Sequence, residues 1–323
     1  MTQYYLGIDL GGTFVKTAVL TDGAEILGRT SRETGASSGR DNVLNSMTEA
    51  AREAVSGAGL KMADIKAVGL GTPGIVLHAT GVVVTAPNLP GWENLPLRDE
   101  MSRRLGRPVV IENDANAAAW GEFWVGAGKG LNSMAMLTLG TGIGGGIIIN
   151  GEVLHGAHDV AAELGHMTID MNGPRCGCGN YGCLEAFAAA PATVRRFVEG
   201  IKGGQKSPLS QRVARGEAIT TKDIYEDAVA GCEYSRKTIH DTGRYLGVGI
   251  SIIMLSIDAE MVVLTGGLAK AGQMLLDGVW QEYTKRTYEY LAKRTKIVFA
   301  KLANDAGVIG AAGCALKTHA TSR

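Results

Sequence analysis

Residues 139–151 read LGTGIGGGIIING, a glycine loop that runs directly into an apolar triplet and a turn. The loop contains the spacing G-x-G-x-x-G at Gly140, Gly142 and Gly145. In a dinucleotide-binding fold that spacing opens a helix. Here Ile147-Ile148-Ile149 followed by Asn150-Gly151 predicts a strand and a turn, which excludes a nicotinamide-dinucleotide fold. The preceding run Met134–Leu139 also reads as a strand, so the loop joins two strands. Asp9-Leu10-Gly11-Gly12-Thr13 is a second loop of the same kind, again between predicted strands. Amide N–H groups in such turns form concave anion sites, and the hydroxyls of Thr13 and Thr141 add donors. Either loop alone is compatible with an ordinary glycine-rich hairpin. Two of them, one led by an aspartate, point to phosphate.

Working outward, the pattern is α/β. Tyr4–Ile8, Thr17–Leu20 and Ile26–Glu33 read as strands joined by short turns, which predicts a meander. Asp41–Ser56 has helical periodicity, with Val43, Leu44, Met47, Ala51 and Val55 on one face. Ala67–Leu70 is a short strand, Leu97–Leu105 a helix, Pro108–Ile111 a strand and Ala115–Val125 a helix. Gly146–Ile149 is a strand, Thr221–Leu255 is mostly helical, and Met261–Leu264 is a strand entering Gly266-Gly267. Lys296–Phe299 is a strand and Gly307–Leu316 a helix. Lys202–Gly216 is polar and predicts an irregular surface loop. No repeat of 20–50 residues is visible.

One segment carries metal chemistry. Glu163–Glu185 reads ELGHMTIDMNGPRCGCGNYGCLE. Cys176, Cys178 and Cys183 form C-x-C-x4-C, with His166 ten residues upstream. Three thiolates and one imidazole complete a tetrahedral zinc set with no position open for a catalytic water, so the site reads as structural Zn2+. Gly177, Gly179 and Gly182 supply the tight turns of such a knuckle. Glu163 and Glu185 bracket it, so whatever they contact is positioned by the metal.

Length and composition bound the rest. A chain of 323 residues predicts about two domains. Lys plus Arg and Asp plus Glu each total 32, so no basic excess exists to hold nucleic acid or an anionic membrane. The 46 glycines are about twice the usual share and predict many tight turns and close backbone approaches. Of the five cysteines only Cys232 and Cys314 lie outside the knuckle, in apolar, helix-like surroundings that predict core positions. Cysteine used for metal rather than disulfides fits a reducing compartment. The opening MTQYYLGIDLGG has no basic n-region or long apolar h-region, and the longest apolar run, Tyr245–Leu255, is too short to span a bilayer. A cytoplasmic protein is expected.

Taken together, DLGGT with Lys16 three residues on, ENDANAAAWGE at 112–122, LTLGTGIGGG at 137–146 and ELGH…CGCGNYGCLE resemble the ROK family of sugar kinases, in order and spacing over essentially the whole chain. Among its members the sequence is most similar to the bacterial glucokinases. The resemblance implies a two-domain actin-like, ribonuclease-H-like ATPase fold with sugar and ATP in an interdomain cleft. It implies a small domain at residues 1–120 plus 306–323, a large domain at 121–305, and a homodimer or homotetramer.

The resemblance also assigns residues. Asp114 matches the catalytic base, which must accept the proton of a sugar hydroxyl as phosphate leaves ATP. Its position also suits a helix N-cap before Ala115. Asn113, Glu163, His166 and Glu185 match sugar-hydroxyl ligands, and Gly74 and Asn88 match weaker sugar contacts; Asn88 reads equally as a turn residue. His166 serves twice in this reading, one ring nitrogen on zinc and the other N–H toward the sugar. Asp9 matches the residue that orients Mg2+ through water. Gly11, Gly12, Thr13, Gly140, Thr141, Gly142 and Gly144 match phosphate contacts, with Lys16 near the terminal phosphate. Gly266 and Gly267 match adenosine contacts, although Thr265 stands where many members have a third glycine.

The expected function is an ATP-dependent hexokinase acting on the 6-hydroxyl of glucose. The alternatives are kinases for mannose, fructose, allose, N-acetylmannosamine or N-acetylglucosamine, or a sugar-sensing repressor. Repressors of the family carry a helix-turn-helix ahead of the first phosphate loop, and a loop beginning at Asp9 leaves no room for one. An actin- or chaperone-like ATPase has no derivable use for the cysteine knuckle.

Overall fold

The computed structural model describes residues 2–86 and 88–321. Its contacts divide the chain into two compact units, Met1–Asn132 with Gly146–Ala162 and Ala300–Arg323, and Ser133–Gly145 with Glu163–Phe299.

The first unit holds a five-stranded sheet. Strands β1 (Tyr4–Leu10), β2 (Phe14–Thr21) and β3 (Ile26–Glu33) form the expected antiparallel meander, and β1 pairs in parallel with β4 (Ile65–Thr72). A short antiparallel sheet of β5 (Ile75–Leu77), β6 (Val82–Thr85) and β7 (Glu93–Leu95) follows. Strand β8 (Val109–Asn113) then pairs in parallel with β4. Helices α1 (Arg40–Gly57), α2 (Leu97–Leu105) and α3 (Asp114–Trp124) belong to this unit.

Strand alternation explains why both faces of the sheet are covered. Leu6, Ile8, Leu10, Val15, Val19, Val68 and Leu70 face one side and pack on Val43, Leu44, Met47 and Ala51 of α1. Tyr5, Ala18, Leu20 and Ala67 face the other side and pack on the C-terminal helix of the unit through Val308, Ile309, Ala312 and Ala315. That second contact is tight because Gly7 and Gly69 lie side by side in the register. A Cβ on Gly69 would stand 1.7 Å from the carbonyl oxygen of Ala311, and one on Gly7 would stand 2.0 Å from that of Val308.

In the second unit β9 (Met134–Leu139) pairs in parallel with β12 (Met261–Thr265), which pairs in parallel with β13 (Lys296–Phe299). Strand β10 (Ile143–Ile149) leads the chain back into the first unit, where it pairs with β11 (Glu152–Val153). Helices α4 (Leu184–Ala188), α5 (Ala190–Lys202), α6 (Ser210–Ala214), α7 (Thr221–Val229), α8 (Glu233–Ile257), α9 (Gln273–Arg286) and α10 (Glu289–Ala292) complete the second unit. Helix α11 (Ala306–Thr321) is the C-terminal helix that packs on the second face of the first sheet. No described helix is long and apolar enough to cross a membrane.

Several expectations need correction. Lys202–Gly216 contains α6 rather than irregular chain alone. Cys232 is a half-exposed residue preceding α8, not a core residue, and Cys314 is intermediate in exposure. The sheet β5–β7 and helices α5 and α9 were not anticipated. Three- and four-residue strands are too short to show a period, and they are held instead by tertiary burial of Val76, Val83 and Leu95.

Candidate active site

The phosphate loop of the first unit grows from the β1–β2 turn. Gly11 N–H donates to the Phe14 carbonyl at 3.0 Å, Thr34 N–H to the Thr13 carbonyl at 2.8 Å and the Thr34 hydroxyl to the Gly11 carbonyl at 2.6 Å. The turn is therefore anchored before any ligand arrives. Asp9 stands directly across the ladder from Lys16. Burial raises the Asp9 carboxyl to about 6; Lys16 lowers it and Asp114 raises it. The first turn of α11 presses on the same carboxylate, since a Cβ on Gly307 would lie 2.7 Å from Asp9 Oδ2. Lys16 Nζ donates to the Asn304 carbonyl at 3.3 Å.

Strand β8 and helix α3 position the candidate base. Asn113, not Asp114, caps α3: its Oδ1 accepts from the N–H groups of Ala115 at 2.9 Å and Asn116 at 3.2 Å. Asp114 is the first helical residue, and its Oδ1 accepts from Ala115 N–H at 2.9 Å. The capping role that suited Asp114 thus belongs to its neighbour. Asn113 Nδ2 donates to the Gly74 carbonyl at 3.2 Å, so these two expected sugar residues are in contact. Gly74 has φ of 97°, and a Cβ there would stand 2.0 Å from the Thr85 carbonyl. Asn88 sits in an exposed turn.

Sequence reasoning overlooked Glu112, which precedes this pair. Glu112 is 4% exposed. Its Oε1 accepts from Asn113 N–H at 2.9 Å and Asn116 Nδ2 at 3.2 Å, and its Oε2 lies 2.9 Å from His155 Nε2. Burial alone would raise this carboxyl, but hydrogen bonds from His155 and His78 outweigh burial and hold it down at about 2. The signal is the ENDAN run itself, in which Glu112 directly precedes Asn113 and Asp114.

In the second unit the glycine loops sit at the C-terminal ends of adjacent parallel strands, the usual ligand side of an α/β sheet. Gly140 N–H donates to the Gly142 carbonyl at 3.0 Å, Ile143 N–H to Glu185 Oε2 at 2.9 Å and Gly144 N–H to Thr138 Oγ1 at 3.1 Å. The amides of Gly140 and Gly144, expected as phosphate donors, are therefore engaged internally. The amides of Thr141 and Gly142 and the Thr141 hydroxyl are the donors left for a phosphate. Gly266 at the end of β12 backs the loop, since its Cβ would stand 2.4 Å from the Leu139 carbonyl. Gly267 lines a cavity of about 480 Å³ whose walls include Ile224, Tyr225, Ile239, Leu268 and Lys270. Helix α7, read as helical but given no site role from sequence, supplies Thr221, Lys222, Ile224, Tyr225 and Glu226 of that wall.

The knuckle gathers as expected. The Nδ1 of His166 and the sulfurs of Cys176, Cys178 and Cys183 all lie within 4.8 Å of one another. His166 Nδ1 is 3.7 Å from Cys176 Sγ, and Cys178 Sγ is 3.7 Å from Cys183 Sγ. A tetrahedron with Zn–S bonds of about 2.3 Å has edges of about 3.8 Å, so the donor set fits that ion. Burial pushes the Cys176 thiol up to about 12, so a thiolate there needs a cation beside it. His166 Nε2 points instead to Glu163, 4.0 Å from Oε2. Glu185, expected as a sugar ligand, bridges the knuckle and the glycine loop: besides accepting from Ile143, its Oε1 lies 3.4 Å from Cys176 Sγ. A Cβ on Gly142 would stand 2.5 Å from Glu185 Oε2.

The ROK family matches residues 5–318. A glucokinase of Halalkalibacterium halodurans is 36% identical over 309 residues, covering 95% of this chain and 93% of that protein. A putative xylose repressor of a Caldicellulosiruptor species is 31% identical over 305 residues, covering 94% of this chain and 76% of the repressor. The crystal structure of a ROK family glucokinase from Streptomyces griseus in complex with glucose and AMPPNP has a TM-score of 0.81 at 32% identity, over 97% of this chain and 99% of that one. The fold is the two-domain actin-like ATPase fold, and the chain belongs to the ROK family.

Proposed function

We propose that this protein is an ATP-dependent glucokinase, which transfers the terminal phosphoryl group of ATP to the 6-hydroxyl of glucose. The observation that carries the reading is the grouping of Asp114 with Asp9 and Asn113 around the first phosphate loop. Asp114 accepts the proton of the 6-hydroxyl as that oxygen bonds to the terminal phosphorus and the bond to ADP breaks. Asn113 and Gly74 hold the sugar beside it. Magnesium that enters with ATP supplies positive charge to the transferred phosphoryl group. One carboxylate fits an ion that keeps most of its water, so Asp9 is the residue that would orient it. Thr13, Thr141 and the loop amides bind phosphate oxygens, and the cavity beside Gly267 accommodates the adenosine.

The family resemblance supports Glu163 and His166 as sugar ligands. His166 Nδ1, Cys176, Cys178 and Cys183 would hold structural zinc, which would fix the tautomer with the proton on Nε2, on the Glu163 side. Cysteine used for metal and the absence of any disulfide requirement support a cytoplasmic enzyme, and the family resemblance supports a homodimer or homotetramer. The similarity to a xylose repressor keeps sugar sensing without catalysis as the second reading.

A coupled assay over glucose, mannose, fructose, allose, N-acetylmannosamine and N-acetylglucosamine, with ATP and polyphosphate as donors, tests the proposal. The expected result is glucose and ATP as the preferred pair, with hydroxyl-altered sugars weaker by as much as ~10⁴. Equal kcat/KM across the panel would remove the glucose assignment. No turnover with any pair, alongside intact sugar binding, would favour the repressor reading.

A further inference from the structure

The kinase chemistry leaves one cluster of metal-binding side chains unused. His78 follows β5, Glu112 ends in β8 and His155 follows β11, all within the first unit. His78 Nε2 is 3.2 Å from Glu112 Oε1, and His155 Nε2 is 2.9 Å from Glu112 Oε2. The two imidazoles lie side by side, with ring centroids 3.7 Å apart and planes tilted by 41°. We propose that His78, Glu112 and His155 form a second metal site, distinct from the cysteine knuckle, that takes a first-row divalent transition ion such as Co2+, Ni2+ or Zn2+.

Four features support it. The three ligand atoms lie within 4.8 Å of one another, and each His Nε2 is 2.9–3.2 Å from a Glu112 oxygen, close enough to share one ion with bonds of about 2.1 Å. Two imidazoles and one carboxylate suit Zn, Ni or Co and not magnesium, which selects oxygen donors. The ligands are already held from behind. Glu112 Oε1 accepts from Asn113 N–H and Asn116 Nδ2, and His78 N–H donates to Asp159 Oδ2 at 3.3 Å. Carboxylate and histidine ligands are commonly oriented by such bonds. Lastly, Asn116 Oδ1 is a buried acceptor without a partner among the described residues, on the side chain that grips Glu112. Water on a bound ion is the kind of donor it lacks. The side chains of His78 and His155 are 22% and 32% exposed, so an ion can enter without unfolding the protein. In the metal-free state each ring donates Nε2–H to Glu112; on binding, each neutral ring carries its proton at Nδ1 instead, and the two Nε2 lone pairs turn toward the ion.

The test uses tag-free full-length protein, cleared of loosely held ions with a weak chelator and analysed for metal by emission spectrometry. Equilibrium dialysis against Co2+, followed by its absorption spectrum, reports both stoichiometry and ligand type. The expected result is one added Co2+ per chain with no sulfur-to-cobalt charge-transfer bands, and at least tenfold weaker uptake in both His78→Gln and His155→Gln. These two positions are half-exposed, so the variants should remain folded, as circular dichroism would verify. No added cobalt, cobalt with thiolate bands, or unchanged uptake in either variant would overturn the site. None of these readouts depends on turnover, so they stand or fall apart from the kinase reading.

Discussion

The loop at Asp9–Thr13 carries its own carboxylate, whereas the loop at Gly140–Gly142 receives one from Glu185 on a separate helix. Asp9 is desolvated, opposite a lysine and near a second aspartate, an environment that leaves its charge available for a ligand. Glu185 is engaged on both sides, by Ile143 N–H and by Cys176, so its charge shapes the loop and the knuckle. Two glycine turns of similar composition thus differ: one carries its own buried carboxylate, and the other is tied through Glu185 to the histidine–cysteine cluster.

The sharpest way to break this comparison is on the chemical side. Asp114→Asn should lower kcat by at least ~10² while glucose affinity stays within a few-fold, because the amide keeps shape but cannot accept the proton. Steady-state kinetics with calorimetric glucose titration measure both, and near-normal kcat would demote Asp114 to a helix-start residue.

Removing the proposed zinc tests the scaffold side. Without a metal on the cluster, His166 would lose a fixed tautomer and the Cys176–Glu185 contact its anchor. Glucose affinity should fall by about 10–100-fold, the range for disturbed outer-shell metal partners, with a smaller effect on an ATP analogue. Metal analysis followed by titration of apo- and zinc-loaded protein decides it; normal glucose binding by the apo-protein would detach the knuckle from the sugar site.

Acidity separates the loops more gently. Because burial lifts Asp9 to about 6, kcat/KM should decline below pH 6, by about tenfold per unit. Stability responds with the opposite sign. The folded state binds the Asp9 proton more tightly than the unfolded chain does, so this contribution is full below about 3.8 and is lost as pH rises through about 6. Glu112 behaves inversely: its contribution is present above about 4.5 and is lost as pH falls toward about 2. Denaturation of the parent and of Asp9→Asn at pH 4 to 7 measures the first term. A parent and variant with identical pH dependence would show that Asp9 is not perturbed.

The smallest effect sharpens the Glu185 assignment. Glu185→Gln can still accept from Ile143 N–H, so kcat/KM for glucose should change by less than about tenfold. A loss of 10³ or more would make Glu185 a direct sugar ligand as the resemblance implied.

Much of this protein was legible because its signals are local. The β1–β2–β3 meander, the strand after Gly146, and the boundaries of β9, α2 and β13 follow from period and turn chemistry within a few residues. The histidine–cysteine cluster lies between residues 166 and 183, so its spacing is visible in sequence. Tertiary structure decided what depends on residues distant in sequence. It gave the cap of α3 to Asn113, because cap identity rests on φ and side-chain direction rather than residue type. It placed the Glu185 carboxylate on the Ile143 amide. It built the β5–β7 sheet from strands too short to show a period. It also brought His78 and His155 onto Glu112, three residues that no window of sequence contains together. Periodicity and motif spacing report a chain's preferences over one or two turns of backbone. Pairing a buried carboxylate with its partners is set by the packing of whole sheets and helices, where the cost of an unpaired buried charge selects the neighbours.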